Sequence, residues 1–229
     1  MQDDRQNALV VFWGGAWLAL GALGVIATSA LYLASRQPAA VLPMPNVATA
    51  DALSAAANSH GFMLAAGTIG LLSDIALASG AFVLMAYRPP SGHPIETIGW
   101  AFAAIGTLLF IVVDALAGHV LSQVARLAAA EGAFFGFKRL FDVMFTLGTI
   151  ATGTANLSIF WSSIRAKSPV LPRAVSIIGL LVGAVAILSG FAYLVGINLA
   201  WLGWLMGFSI VGTALLYAIL GARIAWAAH

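Results

Sequence analysis

Residues 114–142 read DALAGHVLSQVARLAAAEGAFFGFKRLFD, and they carry Asp114, His119, Arg126, Glu131, Lys138, Arg139 and Asp142 inside otherwise apolar sequence. A charged side chain at the centre of a bilayer costs about 2.5–3.5 kcal/mol. Charge in such surroundings must be partnered, neutralised or kept in water. The stretch reads as the end of one transmembrane helix, a short loop and the start of the next. The other apolar runs then pack around that pair.

Composition places the rest of the chain in the same class. Of 229 residues, 62% are hydrophobic and 8% charged, and the mean hydropathy is +1.00. A soluble domain carries about 25% charge and must show its outside to water. The apolar runs are continuous, without the alternating segments of about ten residues that barrel strands show. The fold class is therefore an all-α membrane protein, a six-transmembrane-helix bundle forming one domain over 1–229. Its helices are expected near 8–34, 61–87, 95–124, 134–164, 172–195 and 199–226. Met1 to Asn7 lacks the basic region of a signal peptide, so the first helix is expected to be retained. The net charge is +2 without a basic run, so no nucleic acid partner is indicated; the partner is the lipid bilayer. The absence of cysteine excludes disulfides, iron–sulfur clusters and thiolate zinc sites.

Arg5, Arg88, Arg165, Lys167, Arg173 and Arg223 fall on one side of the six spans. Arg36 and Arg126 fall on the other, with Lys138 and Arg139 just inside helix 4. The excess marks the cytoplasmic side, which puts both termini in the cytoplasm. Arg88 to His93 is a tight turn. Pro94 suits the first turn of helix 3, where Glu96 favours the N-terminal dipole. Gly196-Ile197-Asn198 reads as a minimal turn, with glycine ending helix 5 and Asn198 capping helix 6. Small residues one turn apart allow close helix approach. Gly179 and Gly183, with Gly203 and Gly207, are therefore expected to pack helices 5 and 6 together, with Gly183 opposite Gly212.

Leu171-Pro172-Arg173 followed by Gly179-Leu-Leu-Val-Gly183 resembles a family of uncharacterised bacterial six-helix membrane proteins. In that family a Pro-Arg opens the fifth helix and a glycine-rich apolar run follows. The resemblance extends loosely over helices 2 to 6. It implies six helices and a multi-pass protein of the bacterial cytoplasmic (inner) membrane, without an activity.

The polar groups define the candidate sites. Asp114 lies about 15 Å inside the end of helix 3, and Asp142 about 12 Å inside the facing end of helix 4. Lys138 and Arg139 precede Asp142 by four and three residues and share its face. The expected cluster pairs Arg139 with Asp114 across the two helices, with Asp142 and Lys138 completing it. Such a cluster is either a lock between helices or a polar pocket open to the outside. Asp74 sits near the middle of helix 2 with no cation in its own helix, and is expected to be uncharged. It fits either a proton-coupled role or a neutral carboxyl bonded to Ser73, Ser79 or a neighbouring helix.

His60 and His119 approach the same face of the membrane. The pair fits axial haem ligation or, with Asp114, a metal site. It also fits two interfacial histidines, since no HxxxH pair exists. Three function classes follow. The first is a binding protein: an accessory subunit of a larger membrane complex, or a receptor for a lipophilic small molecule. The second is a proton-coupled transporter or channel using Asp74 and Asp114. The third is an intramembrane haem or metal protein or enzyme built on His60, His119, Asp114 and Asp142.

Overall fold

The computed structural model describes residues 2–45, 47–88, 94–127, 131–166 and 170–228, with side chains from Arg5 onward. The expected turn through Pro89, Pro90 and His93, and Lys167 and Pro169 of the basic turn, lie outside the described residues. Within a bilayer every backbone donor and acceptor must be satisfied inside the chain, and long apolar runs meet that demand as helices. The elements in order are α1 (Gln2–Ala34), α2 (Pro38–Val41), α3 (Thr49–Asn58), α4 (His60–Tyr87) and α5 (Ile95–Ala115). A π-helical segment (Leu116–Leu121) and α6 (Ser122–Val124) prolong α5. The chain ends with α7 (Glu131–Arg165), α8 (Arg173–Leu194) and α9 (Leu202–Ala227). Six of these helices, α5 counted with its extension, are long and apolar enough to cross a membrane. Large apolar side chains such as Leu72, Leu181 and Leu188 point outward from them. The protein is a multi-pass helical membrane protein in contact with lipid.

The spans close into a ring in which α1 packs on α4 and α9, α4 on α5, α5 on α7, α7 on α8, and α8 on α9. Glycines set the tightest crossings. A Cβ on Gly15 of α1 would stand 2.7 Å from the Gly221 carbonyl of α9, and one on Gly80 of α4 would stand 2.6 Å from the Leu18 nitrogen of α1. The short α2 and α3 fold over one end of the ring. Ala40, Val41, Ala52 and Ala56 are buried there.

Three expectations about the ends of the helices are corrected. Helix α1 begins at Gln2 and α7 at Glu131, because polar residues at a helix start can continue the winding into water. Gly196 leaves α8 at φ 80, but Asn198 does not cap the last helix. Trp201 occupies that N-cap, and residues 195–201 form a longer connection.

The glycines of the last two helices also face other partners than expected. Gly179 lies under the Phe160 ring, and a Cβ on Gly183 would meet the Gly153 carbonyl at 2.8 Å, so both pack on α7. Gly203 and Gly207 approach Pro43 and Leu42 of the α2 end. Gly212 faces α8 through Val182, not Gly183. The long, deeply buried α7 occupies the place that the expected hairpin partner was to fill.

Candidate functional site: a cavity with a polar floor

A cavity of about 160 Å³ opens between α1, α4, α5, α7 and α9 and is roofed by the start of α2. Val25, Leu77, Phe110, Phe145, Trp204 and Phe208 are among its apolar and aromatic walls. Arg36, Gln37 and Pro38 line it at the α2 end. Arg36 ends α1 with a left-handed backbone, φ 56, and is exposed.

Asp74 and Asp114 meet in this cavity. The Tyr32 hydroxyl of α1 donates to Asp114 Oδ1 at 3.2 Å, and Asp74, one turn beyond Gly70 on α4, lines the same space. Gly70 makes the meeting possible, because a Cβ there would fall on the Asp114 carboxyl. One turn away Gly67 crosses Gly118 of the π segment, with 2.6 Å between a Cβ on the first and the Cα of the second. Single π turns inside α-helices often mark functional places. This one begins two residues after Asp114.

Thr28 Oγ1 and Tyr217 OH, both on residues lining the cavity, are buried around the floor without a partner. Asn156 is half-satisfied, with Nδ2 donating to Thr213 Oγ1 at 2.7 Å and Oδ1 free of any bond.

Lys138 and Asp142 form a separate buried ion pair within α7. Lys138 Nζ also donates to the Leu42 carbonyl at 3.1 Å, tying the α2 end to α7, and lies 4.9 Å from the Phe141 ring centre. Arg139 is exposed and stacks over Phe135 at 5.2 Å. The expected Arg139–Asp114 pair is therefore corrected: Asp114 turns toward α4 and α1, while Arg139 points out of the bundle.

The histidines stand apart as well. His60 Nδ1 is 3.1 Å from the Ser122 carbonyl, and His119 Nε2 is 3.5 Å from Thr68 Oγ1. Those places are eight residues apart along α4, about 12 Å. Among the described residues no three histidine, cysteine or acidic side chains converge on one point.

No protein-family model, curated protein or solved structure matches this chain. The site must be read from its own residues.

At the opposite end of the bundle, Arg88 and Glu96 pair at 3.0 Å and Trp100 Nε1 donates to Glu96 Oε1 at 3.3 Å. Burial pulls the Arg88 guanidinium below its ordinary value, and the Glu96 charge opposes that shift. Glu96 thus anchors the helix start through side chains, where the sequence suggested a dipole role alone.

Thr28 and Tyr217 did not stand out in the sequence, and Tyr32 and Thr213 were not expected as site residues. Their signal was spacing: Thr28 with Tyr32, and Thr213 with Tyr217, are hydroxyl pairs four residues apart. Each pair therefore lies on one helix face.

Proposed function

We propose that the protein binds a lipophilic small molecule within the bundle, as a receptor or as the binding subunit of a larger membrane complex. The observation that carries this reading is a largely apolar cavity with Asp74, Asp114 and Tyr32 in its lining, beside which Thr28 Oγ1 and Tyr217 OH are buried without a partner. Leaving a buried polar group unmatched costs about 1–3 kcal/mol, and folded proteins keep few such groups. Small-molecule sites commonly combine apolar walls with a few convergent polar groups. A ligand with a hydrogen-bonding head and an apolar body satisfies floor and walls together.

The Lys and Arg distribution supports cytoplasmic termini, which places the α2 end of the cavity toward the outer leaflet. The resemblance at 171–183 supports a bacterial cytoplasmic membrane.

The test uses the seven tryptophans. With Trp204 kept and the other six changed to Phe, titration with 11-bromoundecanol is expected to quench its fluorescence saturably. Ala214→Trp, made with Trp204 changed to Phe, fills the buried wall and blocks the site. Its competence is read as loss of thermal stabilisation by the same alcohol. Linear quenching without saturation, and equal stabilisation of the filled variant, would reject a binding site.

A further inference from the structure

We propose that the ligand is a lipophilic cation, such as a substituted ammonium, and that it exchanges with a proton on the Asp74–Asp114 pair. This rests on the reading of the cavity as a ligand site.

Charge is the first argument. Two carboxyls, Asp74 from α4 and Asp114 from α5, line the same cavity. The uncharged polar groups that line the cavity with them are the amide of Gln37 and hydroxyls, among them Thr28 and Tyr32 of α1, Thr107 of α5, and Thr213 and Tyr217 of α9. On α7 the nearby charges are otherwise engaged. Lys138 is held by Asp142 and the Leu42 carbonyl, and Arg139 stacks outside over Phe135. Arg36 lines the α2 end and is exposed. Among the described residues no basic side chain is bonded to this acidic pair, and an anionic ligand would meet repulsion there.

The walls supply the second argument. Phe110, Phe141, Phe145, Trp204 and Phe208 present aromatic rings to the same space. Ring faces attract cations, and more strongly where water is excluded. An alkyl or aryl ammonium finds aromatic walls for its body and the carboxyls of Asp74 and Asp114, both lining the same space, for its charge.

The exchange follows from charge balance. Two neighbouring carboxyls in an apolar interior do not both ionise, so the pair holds at least one proton. When the cation enters and lies against the pair, that proton leaves to water. One positive charge goes in and one comes out, and no covalent bond to carbon or nitrogen changes.

The experiment uses the full chain in lipid nanodiscs and isothermal titration with two probes of nearly one shape. These are benzyltrimethylammonium, whose charge does not titrate, and its uncharged counterpart 2,2-dimethylpropylbenzene. The cation is expected to bind at least tenfold more tightly, within the range that charge and aromatic contact supply at about tenfold per 1.4 kcal/mol. Its affinity is expected to rise with pH by up to about tenfold per unit, the limit for one proton released. Heats in two buffers of different ionisation enthalpy should count that proton. Asp74→Asn should lower cation affinity at least as much while leaving the hydrocarbon unaffected.

Equal binding of the two probes, or cation binding with no pH slope and no proton release, overturns the inference. If 11-bromoundecanol quenches Trp204 saturably in that case, the cavity remains a ligand site of another class. If neither probe binds and the alcohol does not saturate, both readings fall. The pH slope and the proton count are read on the unmodified protein, so the outcome does not depend on the folding of any variant.

Discussion

Replacing Gly67 with Ala should drive α4 and α5 apart where they cross. The new Cβ would stand 2.6 Å from Gly118 Cα and 2.7 Å from the Asp114 carbonyl oxygen, both backbone atoms that no rotamer change can move. Non-bonded carbons rest about 3.5–4.0 Å apart, so the helices must separate by about 1 Å. Overpacking of this kind costs about 1–3 kcal/mol. For a chain of this length, at 2–4 °C per kcal/mol, the melting temperature should fall by roughly 2–12 °C. Gly61→Ala is the control on the same helix, because nothing lies within 4 Å of its Cβ. There alanine's better helix propensity adds up to about 1 kcal/mol. Thermal unfolding in detergent compares the two. Equal melting temperatures would refute the close crossing and, with it, the mechanism that brings Asp114 to Asp74.

Lys138→Met leaves Asp142 buried without its cation and should cost about 3–5 kcal/mol, with much of it recovered in Lys138→Met/Asp142→Leu; thermal unfolding of the two variants checks this. The same single variant frees the Leu42 carbonyl, so limited proteolysis should cut the 36–48 connection faster. Asp74→Asn keeps an amide that can bond Asp114 and removes no ion pair, so its stability should stay within about 1 kcal/mol of the parent. A loss of several kcal/mol would instead mean an ionised, cation-paired carboxylate. Reporter fusions at each end should place both termini in the cytoplasm, and an external C-terminus would reverse the orientation and the side on which the α2 end of the cavity lies.

The spans were legible because a run of 20 or more apolar residues has few alternatives to a membrane helix. Their ends were less so, as Gln2 and Glu131 show, since a polar first turn is neither required nor forbidden by hydropathy. Asp74 and Asp114 could be singled out from the cost of carboxyls in apolar surroundings. Their meeting could not, because it depends on the rotation of α4 and α5 about their axes. Depth and opposite charge pointed to Arg139 for Asp114. The rotation sends Arg139 outward and turns Asp114 toward Tyr32 and Gly70. The glycines at 67, 70 and 118 hold that information, but a glycine in a membrane helix does not name the neighbour it admits.

The π turn at Leu116–Leu121 has a bearing on how chains related to this one should be aligned. The turn holds one residue more than α winding needs, so a segment one residue shorter would wind as ordinary α-helix and leave the residues on either side facing as they do now. Asp114 before the turn and Ser122 after it, whose carbonyl meets His60, would both keep their places. A single-residue gap between 115 and 122 in a homologous sequence is therefore compatible with the same bundle, and should not be closed up as an alignment error.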